Sequence, residues 1–384
     1  MLRSHRKIGE TSVRNLLTSE SLNLIILVMS KRESNNLVKR FKNPSLKEIA
    51  RFCGVSISTV SYALNNNPKI SEKTRKLILE TAEKLNYIPH YVARGLVKGK
   101  TESIGLSIGD IINPCYIHIA ERMVYWAKEK GYSVFLSFNA LSPEPAEREK
   151  DLRIFLSRKV DGIIVGPIYK EHNLELLWQL KNSRIPFVAF GDVPFEDVNK
   201  VLINTRKASY LAIRHLIEEG HKKIGYLCLP PHDVERLTGY KDALLEFSLP
   251  FKEEWVIKGW GRIKEGYEKM KKVVENLPEL PTAFVCHNDL SALGAIRALK
   301  ERGFSIPEDI ALVGYDNIED GIYSTPSLTT IDIKGEELAR SVVELLFESI
   351  ENPSQPARSI LIEPHLIIRE SSLSNKDLKK KGGD

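Results

Sequence analysis

After Thr101 the sequence alternates between short, β-rich apolar runs and amphipathic helical patterns, and the alternation continues to about residue 372. Such alternation is typical of parallel sheets that are covered by helices on both faces. The stretch is long enough for two doubly wound lobes rather than one. The predicted strands are Ile104–Ile108, Ser133–Phe138, Gly162–Val165, Phe187–Phe190, Lys223–Cys228, Ala283–Cys286 and Ile310–Tyr315. The clearest helical patterns between them are Ile117–Lys130, Ala208–Glu219 and Leu290–Arg302.

The composition excludes several classes of protein. No apolar run approaches the roughly 20 residues that a membrane helix needs, so we expect no membrane partner. The cysteines (Cys53, Cys115, Cys228, Cys286) lie far apart with no C-x-x-C pair, which argues against a disulfide scaffold or a zinc ribbon and fits a reducing cytoplasm.

Charge is distributed unevenly along the chain. Residues 1–100 contain 19 Lys and Arg against 7 Asp and Glu, a balance of +12, whereas the remaining 284 residues carry −6. A basic segment joined to a mildly acidic body predicts a polyanionic partner for the basic segment. The alternative is a basic tail that is simply solvated.

Both ends of the sequence are polar. We predict a flexible extension over residues 1–43 and a polar tail over residues 373–384. The apolar run Leu22–Met29 follows basic residues as in a signal peptide, but Asn23 interrupts it and no A-x-A cleavage site follows, so export is not expected. Initiation at Met29 is an alternative explanation of the first 28 residues.

Residues 44–88 have the pattern of a helix-turn-helix. Ser45 and Glu48 have the spacing of a capping box, Gly54 can take the left-handed turn, and Ser56 can cap a second helix over Ile57–Leu64. Small hydroxyl side chains can reach base edges in a major groove, and an isoleucine can contact a thymine methyl. The candidate DNA-binding residues are Ser56, Ile57, Ser58, Thr59, Ser61 and Tyr62. The alternative is an ordinary three-helix packing module.

The head resembles that of the lactose-repressor (LacI/GalR) family of transcription regulators. The matching motifs are Leu46-Lys47-Glu48-Ile49-Ala50, Gly54-Val55-Ser56, Thr59-Val60-Ser61, Asn86-Tyr87-Ile88-Pro89 and Tyr91-Val92-Ala93-Arg94-Gly95-Leu96. The resemblance implies a hinge helix over residues 89–100 that folds on DNA, with Arg94 at the DNA and Leu96 wedged into the minor groove. The alternative for Leu96 is a linker residue that packs on its own head.

The body resembles the effector domain of the same family, which is similar to periplasmic sugar-binding proteins. The motifs are Asn113-Pro114, Asp161-Gly162-Ile163-Ile164, Arg236-Leu237-Thr238-Gly239-Tyr240, Asn288-Asp289 and Val313-Gly314-Tyr315-Asp316. The resemblance implies a two-lobed effector-binding and dimerisation domain over residues 101–372, whose chain crosses between the lobes three times. We expect one lobe to comprise about 102–203 with 335–350, and the other about 204–334 with 360–370. The predicted fold is therefore α+α/β, a three-helix head followed by a two-lobed, parallel-sheet body.

The effector-binding candidates follow from the same resemblance. Arg236 would bind vicinal hydroxyls or a carboxylate, Asp316 would accept hydrogen bonds, Asn288 would do both, and Tyr116 would form an aromatic wall. Asp192, in a Gly191-Asp192 pair that departs from the family pattern, would shape specificity, as would Trp260. Each has a plainer alternative as a surface, turn or core residue.

These observations predict a cytoplasmic, nucleoid-associated repressor of carbohydrate-utilisation genes. We expect it to bind a palindromic operator in double-stranded DNA as a homodimer or tetramer, with a sugar as its effector and no metal or cofactor. One alternative effector is a purine or another non-sugar metabolite, and a sugar-binding protein of the transport type is a further alternative. No HExxH, GxSxG or GxGxxG motif supports an enzyme.

Overall fold

The computed structural model describes residues 44–87, 100–138, 145–168, 174–191, 193–228, 234–259 and 261–373, apart from the side chains of 145–149. The chain divides into two compact units, residues 1–94 and 95–384. The predictions for residues 1–43, for the hinge with Arg94 and Leu96, for Asp192 and Trp260, and for residues 374–384 lie outside the described residues.

The described part of the head contains three helices, α1 (Leu46–Cys53), α2 (Ile57–Leu64) and α3 (Glu72–Lys84). The Ser45 amide donates to Glu48 Oε2 at 2.6 Å, while the Glu48 amide donates to Ser45 Oγ at 3.3 Å, so the predicted capping box is present. Gly54 has φ +67° where α1 ends, as its freedom from a Cβ allows. The helices enclose a small core of Ile49, Ala50, Val60, Ala63, Ile78 and Ala82.

The first lobe of the body is built on a six-stranded sheet. Its described strands run in the order β11-β5-β4-β3-β1-β2, and all pairs are parallel. The strands are β1 (Ser103–Ile108), β2 (Ser133–Ser137), β3 (Gly162–Ile168), β4 (Phe187–Gly191), β5 (Lys200–Ile203) and β11 (Ser359–Ile362). The helices that belong to this lobe are α4 (Pro114–Glu129), α5 (Pro145–Arg158), α6 (Leu174–Asn182) and α12 (Gly335–Glu351).

The second lobe repeats this plan with one reversed strand. Its described strands run in the order β12-β10-β9-β8-β6-β7, and β12 is antiparallel to β10. The strands are β6 (Ile224–Cys228), β7 (Val256–Lys258), β8 (Ala283–Cys286), β9 (Ala311–Tyr315), β10 (Thr329–Asp332) and β12 (His365–Ile367). The helices are α7 (Thr205–Glu218), α8 (Val234–Glu246), α9 (Ile263–Asn276), α10 (Asp289–Glu301) and α11 (Glu319–Ile322). Strands β6, β8 and β9 are buried throughout, as expected of a sheet with helices on both faces.

Within the described residues the chain passes between the lobes three times, after β5, after β10 and after β11. The predicted boundary of the last passage was wrong, because residues 359–362 pair with β5 in the first sheet instead of joining the second lobe. The first and third passages are tied together, since Asn204 Nδ2 donates to Glu363 Oε1 at 3.0 Å and Lys207 Nζ lies 2.7 Å from Glu363 Oε2. None of the described helices combines the length and the apolar character needed to cross a bilayer.

Candidate functional site

One face of α2 is exposed while the opposite face is buried. Ile57 and Tyr62 are each 48% exposed and Ser58 is exposed as well, whereas Val60 and Ala63 pack in the core of the head. Ser58 and Tyr62 are four positions apart and share one face of the helix, and Ile57 is exposed beside Ser58. The surface carries an apolar group, a hydroxyl and a phenol, which are groups able to contact base edges and phosphates.

The hydroxyls of Ser56 and Thr59 are engaged within the head. Ser56 Oγ accepts from the Thr59 amide at 3.0 Å and lies 2.9 Å from Thr59 Oγ1, which makes Ser56 the N-cap of α2. Both residues therefore position the helix, and Ser61 is half-buried. The sequence analysis missed Arg75, whose Nη2 donates to the carbonyls of Asn67 at 2.8 Å and Ile70 at 3.3 Å and so fixes the loop before α3.

In the body, five polar residues lie where parallel strands end. Asp316 follows β9, and His287 and Asn288 follow β8 in the second lobe, while Asp110 and Asn113 follow β1 in the first lobe. The carboxyl ends of strands in open α/β sheets are where such folds bind ligands. Asn113 and Asp316 are in contact across the two lobes, so these strand ends border one cleft.

Asp316 is the centre of this cleft. Its Oδ2 accepts a hydrogen bond from Asn113 Nδ2 of the other lobe at 2.6 Å, and its backbone has φ +107°. Burial raises the pKa of Asp316 to about 6, although the hydrogen bond from Asn113 and the nearby Arg236 and His287 act in the opposite direction. A left-handed φ is costly for a residue other than glycine, and strain of this kind is concentrated at functional sites.

Arg236 comes from the first turn of α8. Its guanidinium carbon lies 3.7 Å from the centre of the Tyr315 ring, and its Nη1 donates to the His287 carbonyl at 2.7 Å. Stacking on an aromatic ring holds the guanidinium plane in one orientation. Arg236 is also near enough to Asp316 to act against the rise of its pKa, and their roles as effector contacts stay predictions.

Asn288 is buried and serves as the N-cap of α10. Its Oδ1 accepts from the Ser291 amide at 2.9 Å and its Nδ2 donates to the Gly261 carbonyl at 2.8 Å. Both amide atoms thus make structural hydrogen bonds, which matches the plainer alternative for this residue. The neighbouring Asp289 accepts from Thr330 Oγ1 at 2.6 Å and the Ile318 amide at 2.9 Å, and burial raises its pKa well above the usual range.

Tyr116 is half-buried in the first turn of α4 and packs against the main core.

The sequence analysis assigned no role to Asn113, although the Asn-Pro motif marked it. It also missed His287, Asp110 and Arg262. Arg262 Nη1 lies 2.5 Å from Asp110 Oδ1, so a second polar contact joins the two lobes. A signal for Arg262 was present in the sequence, because an arginine directly before a helical pattern is an unusual N-cap.

Comparison with known proteins agrees with this architecture. Residues 45–90 match the family described as bacterial regulatory proteins of the lacI family, and residues 213–372 match the periplasmic binding protein-like domain. The transcriptional repressor PurR of Mannheimia succiniciproducens is 34% identical over 334 residues, which cover 85% of this chain and 98% of that protein. The PurR of Actinobacillus pleuropneumoniae is 33% identical with the same coverage.

Solved structures give the same result. The lac repressor dimer bound to operator and the anti-inducer ONPF has a TM-score of 0.77 and 26% identity, over 87% of this chain and all of that chain. The transcriptional regulator CelR in complex with cellobiose has a TM-score of 0.65 and 27% identity, over 86% of this chain and all of that chain. The chain therefore belongs to the LacI family, and it is a DNA-binding transcriptional repressor of that family.

Proposed function

We propose that this repressor binds a palindromic operator as a homodimer and that a purine bound between its lobes controls its affinity for DNA. The observation that carries the proposal is the cross-lobe arrangement of Arg236, Asp316 and Asn113, because a ligand that contacts both lobes can change the angle between them. A ligand shifts an equilibrium only by its difference in affinity for the two conformations.

For operator binding we propose that residues 44–88 bind the major groove and residues 89–100 the minor groove. The exposed Ile57, Ser58 and Tyr62 would contact DNA directly, and Ser56, Thr59 and Ser61 would contact it or orient α2. Arg94 and Leu96 would act at the operator centre, where a wedged leucine repays the cost of unstacking by bending the duplex. Leu96→Ala should reduce both the bend angle and operator affinity, and an unchanged bend would contradict the wedge.

Two observations favour a purine over the sugar that the sequence analysis expected. The curated relatives carry the name PurR, which denotes purine regulation. The cleft also offers groups that suit a purine edge: a guanidinium fork matches ring nitrogen and carbonyl acceptors, and a carboxylate accepts ring N–H groups. Tyr116 would stack on the ring, and Asn288 would contribute only through the second hydrogen of its amide nitrogen. Asp192 stays a proposed specificity residue.

A sugar is the second candidate. CelR, of similar fold, was solved with cellobiose, and a relative from Enterococcus faecium was solved with bound ribose at a TM-score of 0.62 and 26% identity. Arg, Asp and Asn side chains also hydrogen-bond hydroxyl groups. The cleft therefore suits both classes, and the names of the relatives support the purine as the first candidate.

Titration calorimetry distinguishes the candidates. We expect hypoxanthine or guanine to bind the full chain and to change its affinity for an operator obtained by in vitro selection, while ribose and cellobiose do neither. Binding of a sugar with no response to purines would overturn the purine assignment. As a DNA-binding regulator, the protein would act in the cytoplasm where the chromosome lies, without catalysis.

A further inference from the structure

Arg262 breaks a local rule of helix formation. It occupies the N-cap of α9, where Ser, Thr, Asp and Asn are preferred, and its side chain makes no capping hydrogen bond. Its positive charge also stands at the positive end of the helix dipole, which is unfavourable. The helix itself therefore gains nothing from an arginine at this position.

Asp110, in the opposite lobe, has an unfavourable backbone conformation. It has φ +53°, in the left-handed region, in the turn between β1 and α4. Asp tolerates this conformation better than most residues, but the conformation still has a cost. The Asn113 amide donates to the Asp110 carbonyl at 3.1 Å, so the turn is a defined structure that holds Asp110 in place.

Arg262 and Asp110, each unfavourable in its local structure, contact each other across the cleft. Arg262 Nη1 and Asp110 Oδ1 lie 2.5 Å apart, and both atoms are shielded from solvent. Their angles are not those of a hydrogen bond, so the contact is an ion pair. Because the side chains are only 33% and 20% exposed, dissolved ions screen the attraction between the two charges less than they would at the surface.

The same turn is held at a second point, where Asn113 donates to Asp316. The second lobe thus contacts this turn of the first lobe at two residues, Asp110 and Asn113. Places where a sequence breaks local rules without local gain are expected to be functional.

From this we infer that Asp110 and Arg262 form an interlobe latch, which sets how much of the protein has its lobes closed before effector binds. Arg262 is a positioning residue and not an effector contact. The inference rests on the proposed function, in which an effector bridges the lobes. If only part of the protein is closed, the apparent affinity of an effector that binds the closed form falls in proportion to the closed fraction.

The first test requires no effector. Hydrogen exchange of backbone amides in residues 109–119 is measured in the full chain for Arg262→Ala, for Asp110→Asn, which keeps the tolerance for the left-handed turn, and for the double variant. The control is Lys264→Ala, which removes a positive charge from the same helix. Lys264 is 81% exposed, and among the described residues its Nζ lies 4.0 Å from Oε1 of Glu268 in α9.

We expect each single variant to speed exchange in this segment about tenfold, the double variant to match the singles, and Lys264→Ala to behave as wild type. Arg262→Lys should recover part of the protection, because it keeps the charge. Wild-type exchange in Arg262→Ala, or effects that simply add in the double variant, would overturn the latch, because additivity means that the two residues are not coupled.

The second test is titration with hypoxanthine and guanine. Arg262→Ala should weaken binding by the factor by which it lowers the fraction of molecules with closed lobes, as calculated from the exchange rates, while Lys264→Ala should not weaken it. If neither purine binds even the wild type, the purine proposal fails while the exchange experiment still decides the latch. A purine affinity of Arg262→Ala that does not follow its closed fraction would overturn the link between latch and effector.

Discussion

The guanidinium of Arg236 is stacked on the ring of Tyr315, at 3.7 Å from its centre, while one of its nitrogens is bonded to the His287 carbonyl. These two contacts fix the direction of the guanidinium, which reduces the entropy lost when a ligand binds to it.

Arg236→Ala should lower effector affinity by roughly 10- to 150-fold, because it removes charge-assisted hydrogen bonds worth ~1.5–3 kcal/mol. Operator binding without effector should stay unchanged. Titration calorimetry beside a DNA-binding assay measures both. Arg297→Ala is the control, since Arg297 pairs with Glu301 on the exposed side of α10. Wild-type effector affinity in Arg236→Ala would place the pocket elsewhere.

The raised pKa of Asp316 predicts a pH dependence of stability. Between its unfolded value of 3.8 and its folded value of about 6, the folded chain holds a proton that the unfolded chain has lost. Stability should therefore fall as pH rises through this window, by about 3 kcal/mol from this group, and stay level above it. Relative to wild type, Asp316→Asn should gain stability from pH 4 to pH 7.

Chemical denaturation at several pH values measures that difference. Asp320→Asn is the matched control, because Asp320 is an exposed carboxylate just after the same strand. Parallel pH profiles for wild type and Asp316→Asn would show that Asp316 titrates normally.

Ile57→Ala and Ser58→Ala should each change base preference by ~1–3 kcal/mol at one base pair per half-site. The physical reason is the loss of a methyl contact or of a hydroxyl donor on the exposed face of α2. Binding to a library of operator variants gives the measurement, and Glu80→Gln on α3 gives a control. If both variants keep the wild-type preference, α2 does not contact the bases at these positions.

Gly54→Ala should destabilise the α1–α2 unit by about 1 kcal/mol, because its φ of +67° is strained for alanine even though no atom lies within 4 Å of the added Cβ. Gly54→Asn should cost less, since asparagine tolerates this region. Hydrogen exchange in α1 and α2 reports the opening free energy. Gly131→Ala imposes the same strain in the body, at φ +81°, and should leave exchange in the head unchanged. Equal exchange in Gly54→Ala and wild type would contradict the argument.

The structure could be predicted from the sequence where a local sequence pattern is compatible with only one conformation. The capping box at Ser45 and the turn at Gly54 are such cases, and so are the seven predicted strands, each of which is present with its ends within a few residues. The sequence analysis missed β5, β7, β10, β11 and β12, which have three or four residues and are not buried throughout, whereas the equally short β8 is a continuous buried apolar run.

At the site, the sequence predicted Arg236, Asp316 and Asn288 as effector contacts, and these stay predictions, although Asn288 also caps a helix. An asparagine before a helix has the same sequence pattern whether it caps the helix or binds a ligand. The contacts of Asp110 with Arg262 and of Asn113 with Asp316 join residues 152 and 203 positions apart. No local pattern encodes such pairs.

The passages of the chain between the lobes have a consequence for synthesis. Strand β11 covers the edge of β5, and strand β12 covers the edge of β10, yet both follow every other described strand in the chain. During translation, one edge of each sheet therefore stays unpaired until the residues from 359 onward have left the ribosome. Bare edges are templates for pairing with other chains. Nascent or prematurely terminated chains that stop before β11 would thus expose two aggregation-prone edges, so the final part of translation protects both lobes together.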